Sequence, residues 1–332
     1  MTQPRFDLLG IGNAIVDVIA HTDDAFLDRH DMRKGAMTLI DGAQATHLYA
    51  RMPPGLESAG GSVANSCAVA AGLGVRTAFI GKVAADKLGA VFADSMRAIG
   101  VHYPAPLMRE GEDAPDEAPT ARCLILVTAD GQRTMNTCLG ISADFGRDDL
   151  DEALIADSAI LYLEGYLFDP PAAQEAFLHA ARLARAAGRR VAISLSDQFC
   201  VDRHRAAFRR LIAEAADIVF ANEAEICALY QSNDFETAER QAATEIALAV
   251  LTRSEAGSVI RADKARYLVP AVPTKVVDTT GAGDAYAAGF LTGLTKGADL
   301  TACGDLASQA AALAIARTGA RPVAADLAPL RL

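Results

Sequence analysis

The chain has 332 residues, of which 51% are hydrophobic and 22% charged, and its formal net charge is −11. This length is enough for a sizeable core, and the acidic balance argues against nonspecific binding to nucleic acid or anionic membranes. Six scattered cysteines without metal-ligand spacing predict free thiols and a cytoplasmic setting. We recognise no signal peptide and no apolar run long enough to span a bilayer.

The first hundred residues predict short strands separated by glycine turns, with two helices between them. Apolar runs that end in turn residues predict the strands, and small-residue or amphipathic runs that end at a glycine predict the helices. The predicted strands are 6–12, 35–41 and 77–83, a second apolar stretch covers 14–20, and the predicted helices are 60–73 and 88–99.

Residues 101–136 have a different texture, with no helical pattern. An acidic, polar stretch over 109–117 predicts a mobile loop, and 121–129 predicts a strand that ends at an Asp130-Gly131 turn. This hairpin-like region indicates a small β flap on an α/β body. Prolines interrupt it at Pro104, Pro106, Pro115 and Pro119.

After residue 148 the sequence alternates between strands and helices. Such alternation predicts a mostly parallel sheet with both faces covered by helices. The predicted strands are 159–163, 191–195, 217–221, 247–252 and 258–262, and the predicted helices are 170–187, 203–215, 223–230, 286–294 and 303–317.

The most informative segment is 278–291, which reads D-T-T-G-A-G-D-A-Y-A-A-G-F-L. Its Gly281-Ala282-Gly283 turn can point successive backbone N–H groups into one concavity at a helix start, which forms an anion cradle. Asp284 would repel an anion there, so a carboxylate at this position makes sense as a base that takes a proton from an attacking hydroxyl. The alternative is a helix N-terminus that Asp284 caps after a glycine turn.

Two glycine-containing segments near the N-terminus could bind a polar substrate. Gly10 and Gly12 follow a strand, but the third glycine of a dinucleotide-binding motif is missing. Asn13 and Asp17 could cap a turn or bind ligand hydroxyls. Gly60, Gly61, Ser62 and Asn65 open a small-residue helix, either as a simple cap or as a place where the backbone approaches a substrate.

Two later segments follow buried strands, where parallel sheets place ligands. Asn222 and Glu225 lie one helical turn apart and could hold Mg²⁺ through water, or they could form a capping box. The 252–257 segment could contact phosphates or be a plain hairpin turn. The sequence contains neither a P-loop nor the protein-kinase signature set, and its six histidines form no ligand cluster.

The Gly-Gly-x-x-x-Asn, Asn-x-x-Glu and D-T-T-G-A-G-D motifs occur in the order and spacing that resemble the ribokinase/PfkB family of carbohydrate and nucleoside kinases. The resemblance covers nearly the whole chain. It implies a single domain, 1–332, with a three-layer α/β/α core, a mostly parallel sheet and a small β lid from segments near 13–21, 35–41 and 101–136. It also implies that Asp284 is the catalytic base.

The same resemblance assigns roles to the other motif residues. The Gly281 turn, with the N–H groups of Ala282, Gly283 and Asp284, would stabilise charge on the transferring phosphoryl group. Asn222 and Glu225 would organise Mg²⁺ and phosphates. The implied ATP-binding set is Asn222, Thr252, Gly257, Gly283 and Ser308, and the implied acceptor-binding set is Asn13, Asp17, Gly60, Gly61, Ser62 and Asn65. K⁺ near Asp278 and Thr280 is implied by the resemblance alone.

Within the family the chain is most similar to the adenosine kinase branch. Its opening Gly-x-Gly-Asn-x-x-x-Asp pattern, the 194–199 segment and Arg317-Thr318-Gly319 carry this similarity. The chain departs from the branch at Ser194, which replaces an asparagine, and at Gln198, which replaces a proline. It also departs from many sugar kinases at Ser254, where they often have a glycine.

The sequence therefore predicts an ATP-dependent phosphotransferase that acts on a primary hydroxyl, with adenosine as the first choice of acceptor. A sugar kinase of the same fold, acting on ribose, fructose or 2-keto-3-deoxygluconate, is the alternative, and Arg122 or Arg133 could serve a sugar acid. A catalytically idle nucleoside-binding protein is a hypothesis from another class. The expected partners are small molecules, with no nucleic acid or membrane, and the expected assembly is a monomer or homodimer.

Overall fold

The computed structural model describes residues 3–104 and 118–332. The loop predicted over 109–117 lies outside the described residues. The strands in these ranges are β1 (Phe6–Ile11), β2 (Ile15–His21), β3 (Met37–Leu39), β4 (Leu56–Gly60), β5 (Thr77–Ile80), β6 (Ala121–Val127), β7 (Arg133–Cys138), β8 (Ser158–Glu164), β9 (Arg190–Ser194), β10 (Ile218–Asn222), β11 (Leu248–Thr252), β12 (Ser258–Ala262) and β13 (Ala265–Val269).

The helices alternate with these strands over most of the chain. None of those in the described ranges is long and apolar enough to cross a membrane. They are α1 (Asp24–Arg29), α2 (Gly42–Tyr49), α3 (Ser62–Gly72), α4 (Lys87–Ala98), α5 (Glu152–Ala156), α6 (Pro171–Ala186), α7 (Gln198–Glu214), α8 (Glu223–Tyr230), α9 (Phe235–Glu245), α10 (Ala282–Thr295), α11 (Leu300–Ile315) and α12 (Ala324–Leu327).

The main sheet has eight strands in the order β13-β12-β11-β10-β9-β8-β1-β5. All neighbours from β5 to β11 run parallel, and β12 and β13 are added antiparallel at one edge. The predicted mostly parallel sheet is therefore confirmed. Because parallel strands all end at one edge, the residues that follow β1, β8, β10 and β11 lie along that edge.

Side chains alternate between the two faces of this sheet, and each face packs under helices. In β1, Leu8 belongs to the core beneath α3, α10 and α11, whereas Leu9 belongs to the core beneath α6 to α9. Each core is built from buried aliphatic and aromatic side chains of sheet and helices alike. The predicted three-layer α/β/α architecture is confirmed.

A second sheet of five strands has the order β3-β7-β6-β2-β4, and we call it the lid sheet. Strand β4 lies outside the three predicted lid segments. It was not predicted because its sequence, Leu-Glu-Ser-Ala-Gly, contains none of the β-branched residues that favour strands. Antiparallel pairing with β2 stabilises this segment as a strand although its sequence does not favour one. In the register of the lid sheet, Asp17 lies opposite Ser58 on one side and Cys123 on the other.

Several predicted boundaries are corrected. Helix α7 begins at Gln198 rather than at residue 203, because the Asp197 carboxylate accepts a hydrogen bond from the Cys200 N–H and starts the helix earlier. Helix α10 begins at Ala282, directly after the glycine turn, rather than at residue 286. Helix α9 and strand β13 were not predicted, since α9 is short of apolar residues and β13 is an edge strand with an exposed face.

Candidate active site

Polar side chains converge at the carboxyl edge of the main sheet. Asn13 follows β1, Glu164 ends β8, and Asn222 and Thr252 end the neighbouring strands β10 and β11, where they are register partners. The N-terminus of α10 reaches the same region, because α10 packs against α3 and α11 in one core. This is the location at which open parallel sheets bind ligands.

Asp284 lies in the first turn of α10 and is held by α3. Its Oδ1 accepts a hydrogen bond from Ser62 Oγ at 2.6 Å, and its Oδ2 accepts one from Asn65 Nδ2 at 2.9 Å. Burial raises the pKa of Asp284 to about 6, against these hydrogen bonds and the charge of Arg321, which lower it. A carboxylate with a pKa close to the working pH is suited to accept a proton from a hydroxyl.

The glycine turn before Asp284 has the geometry of an anion cradle. Gly281 adopts a left-handed φ of 76°, and a Cβ at this position would lie 2.1 Å from the Ala320 carbonyl oxygen, so only glycine fits. The Ala282 N–H already donates to the Thr279 carbonyl. Within the described ranges, the N–H groups of Gly283 and Asp284 have no protein acceptor, and the space beside Gly283 is open. Two N–H groups therefore remain for an anion.

Asp17 approaches from the lid sheet. Burial raises its pKa to about 6, and the neighbouring Asp284 charge adds to the increase, whereas Arg321 and Arg133 lower it. Gly60 lies directly beside it, because a Cβ on Gly60 would be 2.5 Å from Asp17 Oδ2. The structure thus brings the lid carboxylate and the α10 carboxylate to one site.

Asn13 and Gly61 lie at this site, but their contacts are mainly structural. The Asn13 Nδ2 donates to Glu164 Oε1 at 2.7 Å, and the Asn13 side chain is buried. Gly61 has a left-handed φ of 92°, and a Cβ there would lie 2.3 Å from the Asn13 carbonyl oxygen. The two segments are therefore packed tightly against each other where β1 meets α3.

Glu164 was not predicted as a site residue, because a single acidic residue at a strand end has no recognisable motif. Its carboxylate accepts hydrogen bonds from the Asn13 N–H, the Asn13 side chain and the Val63 N–H. Burial raises its pKa to about 7 despite these donors. Glu164 ties the end of β1 to the start of α3.

The Asn222–Glu225 pair forms a capping box at the start of α8. Asn222 Oδ1 accepts from the Glu225 N–H at 2.9 Å, and Glu225 Oε2 accepts from the Asn222 N–H at 2.9 Å. Burial raises the pKa of Glu225 to about 7. The oxygen donors suit a hard cation such as Mg²⁺. Because both Glu225 oxygens already receive hydrogen bonds from Asn222, the pair fits a hydrated ion better than a bare one.

The other predicted donor-site residues lie in compact local structure. The 252–257 segment is a tight turn in which the Arg253 N–H donates to the Gly257 carbonyl, and Gly257 has a left-handed φ of 81°. Ser308 is buried in α11. The structure does not bring Ser308 into hydrogen-bond contact with Thr252 or Asn222.

Two arginines at the site make contacts that the sequence did not predict. Arg133, in β7, donates to the Asp278 carboxylate and to Thr280 Oγ1. Arg321, in the segment between α11 and α12, donates from Nε to Asn65 Oδ1 at 2.7 Å. The sequence offers Arg133 only as a counter-charge for a sugar acid, and nothing in the local sequence of Arg321 marks it as a site residue.

Comparison with known proteins gives consistent matches. The sequence pattern of pfkB family carbohydrate kinases matches residues 50–326. The structure of adenosine kinase from Sinorhizobium meliloti is 46% identical, with a TM-score of 0.85 and 98% of each chain covered. The structure of a probable sugar kinase from Rhizobium etli CFN 42 is also 46% identical, with a TM-score of 0.85, and covers 97% of this chain and 96% of that one. Adenosine kinase from Saccharomyces cerevisiae is 26% identical over 343 residues, 96% of each chain.

Proposed function

Because the chain belongs to the pfkB family of carbohydrate kinases, and is therefore a kinase with an alcohol group as acceptor, we propose that it phosphorylates the 5′-hydroxyl of adenosine. Membership of this kinase family implies ATP as the phosphoryl donor. The remaining points of the proposal concern the base, the acceptor and the ions.

Asp284 is the base in this proposal. The acceptor hydroxyl gives its proton to the Asp284 carboxylate, its oxygen forms a bond to the γ-phosphorus, and the bond between that phosphorus and the β–γ bridging oxygen breaks to release ADP. The free N–H groups of Gly283 and Asp284 stabilise the charge of the transferring group. Ser62 and Asn65 hold the carboxylate in place while this happens.

The observation that carries the choice of adenosine is the apolar face of the lid sheet around Asp17. Alternation and register place a set of apolar side chains on the same face as this carboxylate. Two of them, Met37 and Leu39, are 58% and 60% exposed. An apolar surface beside a carboxylate suits a nucleoside, because the base packs on the surface and the ribose hydroxyls bind the acid. The set is Ile15, Ile19, Met37, Leu39, Ile125 and Met135.

Two further features offer surface on which a base could pack, one at the lid sheet and one at the main sheet. A cavity of about 290 Å³ is lined by Leu39 and Thr137 together with neighbouring residues at the end of the lid sheet. Tyr166, in the turn after β8, exposes 42% of its surface at the carboxyl edge of the main sheet. A free sugar offers little apolar surface with which to cover these side chains.

Ions enter the proposal in two places. Asn222 and Glu225 would hold Mg²⁺ through water, and the ion would neutralise phosphate charge when it is bound. A K⁺ ion beside Asp278 and Thr280 would have to displace the Arg133 guanidinium, which already contacts both residues. Replacing K⁺ by Na⁺ in the assay tests that site.

The free thiols of the described chain support a cytoplasmic location.

A sugar kinase is the second candidate, and the similarity to a probable sugar kinase from Rhizobium etli favours it. A sugar acid would need a free positive charge at the acceptor. Arg122 alternates with Cys123 in β6 and so faces away from Asp17, toward Thr46 and Tyr49. Arg133 is engaged by Asp278. These contacts therefore argue more strongly against a sugar acid as the acceptor than against a neutral sugar.

The deciding experiment measures ADP release from Mg-ATP with adenosine, other nucleosides, ribose, fructose and 2-keto-3-deoxygluconate, each with the wild-type chain and with Leu39→Ser. Turnover on adenosine, with a KM for adenosine that rises in Leu39→Ser while the KM for ATP does not, supports the proposal. If the chain instead turns over a sugar, and Leu39→Ser does not affect that turnover, the sugar and not adenosine is the acceptor. ATP turnover with any of these acceptors rejects an idle binding protein.

A further inference from the structure

The segment that joins α11 to α12 crosses the catalytic turn and makes three contacts there. The Gly319 N–H donates to Asp278 Oδ2 at 3.0 Å, and the Ala320 carbonyl occupies the space that a side chain at Gly281 would need. Arg321 then donates from Nε to Asn65 Oδ1 at 2.7 Å. A segment far along the chain from α3 is therefore fixed against the residues that hold Asp284.

Arg321 and Asp284 together fix the way in which the Asn65 amide points. An amide side chain has one accepting oxygen and one donating nitrogen, and a guanidinium can only donate. With its oxygen bound to Arg321, Asn65 must present Nδ2 to Asp284 Oδ2, as observed at 2.9 Å. Without Arg321 the amide would lose one of the two partners that fix its position, and only the single hydrogen bond from Nδ2 to Asp284 would hold it.

Arg321 also supplies the positive charge between two carboxylates that come from different parts of the fold. It lowers the pKa of both Asp17 and Asp284, whereas Asp284 raises that of Asp17 by repulsion. Burial lowers the pKa of Arg321 itself to about 10, against the charges of Asp17 and Asp284, so the guanidinium remains protonated at neutral pH. Buried carboxylates close together need such a counter-charge.

We propose that Arg321 is a positioning residue for phosphoryl transfer, which orients the Asn65 amide toward Asp284 and supplies the counter-charge that keeps Asp17 and Asp284 ionised together. This inference rests on the proposed role of Asp284 as the base. Arg321 acts through Asn65 and through its charge, and the proton of the acceptor hydroxyl goes to Asp284.

The pH dependence expected from this arrangement involves groups on several elements around Asp284. They comprise a lid carboxylate, the joining-segment arginine, a strand-end glutamate and two phenols, namely Asp17, Arg321, Glu164, Tyr162 and Tyr166. Arg133 acts on Asp17. Of these, Arg321 is the positive group that acts directly on Asp284. Removing it should raise the pKa of Asp284, so the acid limb of the pH–rate profile moves to higher pH.

The test compares Arg321→Met and Arg321→Lys with the wild type, and uses Arg331→Met as the matched control. Arg331 is an exposed arginine of the same C-terminal region that donates to the Gly72 carbonyl. For Arg321→Met we expect kcat to fall roughly ten- to a hundredfold, with the acid limb about one pH unit higher. Arg321→Lys should keep the acid limb of the wild type because it keeps the charge, but should lower kcat because an ammonium does not place a donor where Nε bonds to Asn65. Arg331→Met should match the wild type.

A double-mutant cycle with Asn65→Ala separates positioning from general damage. If Arg321 acts through Asn65, the kcat of Asn65→Ala/Arg321→Met, measured well above the acid limb, should be no lower than that of Asn65→Ala. Circular dichroism of every variant confirms that it is folded. Fully additive losses in kcat, or an acid limb that is the same in Arg321→Met and wild type, would overturn the proposal. So would a raised KM for adenosine with unchanged kcat, which would make Arg321 a binding group only.

The Asp284→Asn variant distinguishes the failure of this inference from failure of the proposed function. If Asp284→Asn retains wild-type turnover, Asp284 is not the base and the inference falls with it. If Asp284→Asn is nearly inactive while Arg321→Met has the kcat and acid limb of the wild type, the proposed base stands and only the role of Arg321 is rejected.

Discussion

The proposed acceptor end and the proposed donor end of the candidate site are built in different ways. At the acceptor end, Asp17, Asn65, Asp284 and Arg321 come from four separate segments. Asn65 bonds to both Asp284 and Arg321, and the charges of Asp284 and Arg321 act on Asp17. At the donor end, Asn222 and Glu225 are neighbours in sequence, and their side chains bond mainly to each other. When polar residues converge from distant segments, local structure does not account for their contacts. Polar residues that are neighbours in sequence can use all their hydrogen bonds in capping a helix.

This difference predicts where substitutions should affect catalysis and where they should affect stability. Changes at the acceptor end should reduce the rate strongly and alter the pH dependence. Changes at the donor end should cost the free energy of a helix cap and have a smaller effect on the rate. The following predictions test this contrast, beginning with the largest effect.

Asp284→Asn should lower kcat by roughly 10²–10⁴-fold, the usual size of a general-base effect, with little change in KM. Its thermal stability should not fall, because burial raises the pKa of Asp284 to about 6 and so already disfavours the ionised form. Steady-state kinetics and thermal denaturation measure both quantities. Asp305→Asn, at an exposed position in α11, is the control and should behave as the wild type.

Glu164→Gln should change how stability depends on pH. Burial raises the pKa of Glu164 from 4.5 to about 7, so its contribution to stability is complete below the lower value and is lost as the pH rises through the upper one. At about 1.4 kcal/mol per pKa unit, the full change amounts to roughly 3 to 4 kcal/mol. The free energy of unfolding of the wild type minus that of Glu164→Gln should therefore be more positive at pH 5 than at pH 8, by roughly 2 to 3 kcal/mol, because part of the change lies below pH 5.

Thermal or urea denaturation of both proteins across this pH range measures the effect of Glu164. The control is Glu255→Gln, because Glu255 is exposed in the turn before β12. A wild-type stability that does not decrease relative to Glu164→Gln between pH 5 and pH 8 would show that the Glu164 carboxylate is not held in an unfavourable charged state.

Asn222→Ala should lower the free energy of unfolding by about 1 kcal/mol, because α8 loses its N-cap. If the pair also contacts hydrated Mg²⁺, the Mg²⁺ concentration needed for half-maximal rate should rise. Asp234→Ala is the matched control, since Asp234 caps α9 by accepting from the Thr237 N–H at 2.8 Å. Equal stability losses in the two variants, with no difference in Mg²⁺ dependence, would show that Asn222 only caps α8 and does not contact hydrated Mg²⁺.

Much of the fold and of the catalytic segment could be predicted from the sequence. Apolar runs with period-2 and helical patterns gave the parallel sheet and its covering helices, because core burial imposes those patterns on nearly every element. The D-T-T-G-A-G-D segment could be interpreted because its turn needs glycine, and the structure places Gly281 at a left-handed φ of 76°. The donor-site motifs were also recognisable, but their local pattern could not distinguish a ligand site from a capping box.

The contacts made by Arg321, Glu164 and Arg133 could be found only in the tertiary structure. Each is a single charged residue without a motif, and its partner lies more than a hundred residues away in the sequence. The role of each residue depends on its burial and on the charges that folding brings near it, and no local sequence pattern encodes these. The sequence thus determined the contiguous part of the proposed reaction machinery, the glycine turn and its aspartate. Only the three-dimensional packing decided which distant side chains orient that aspartate and set its pKa.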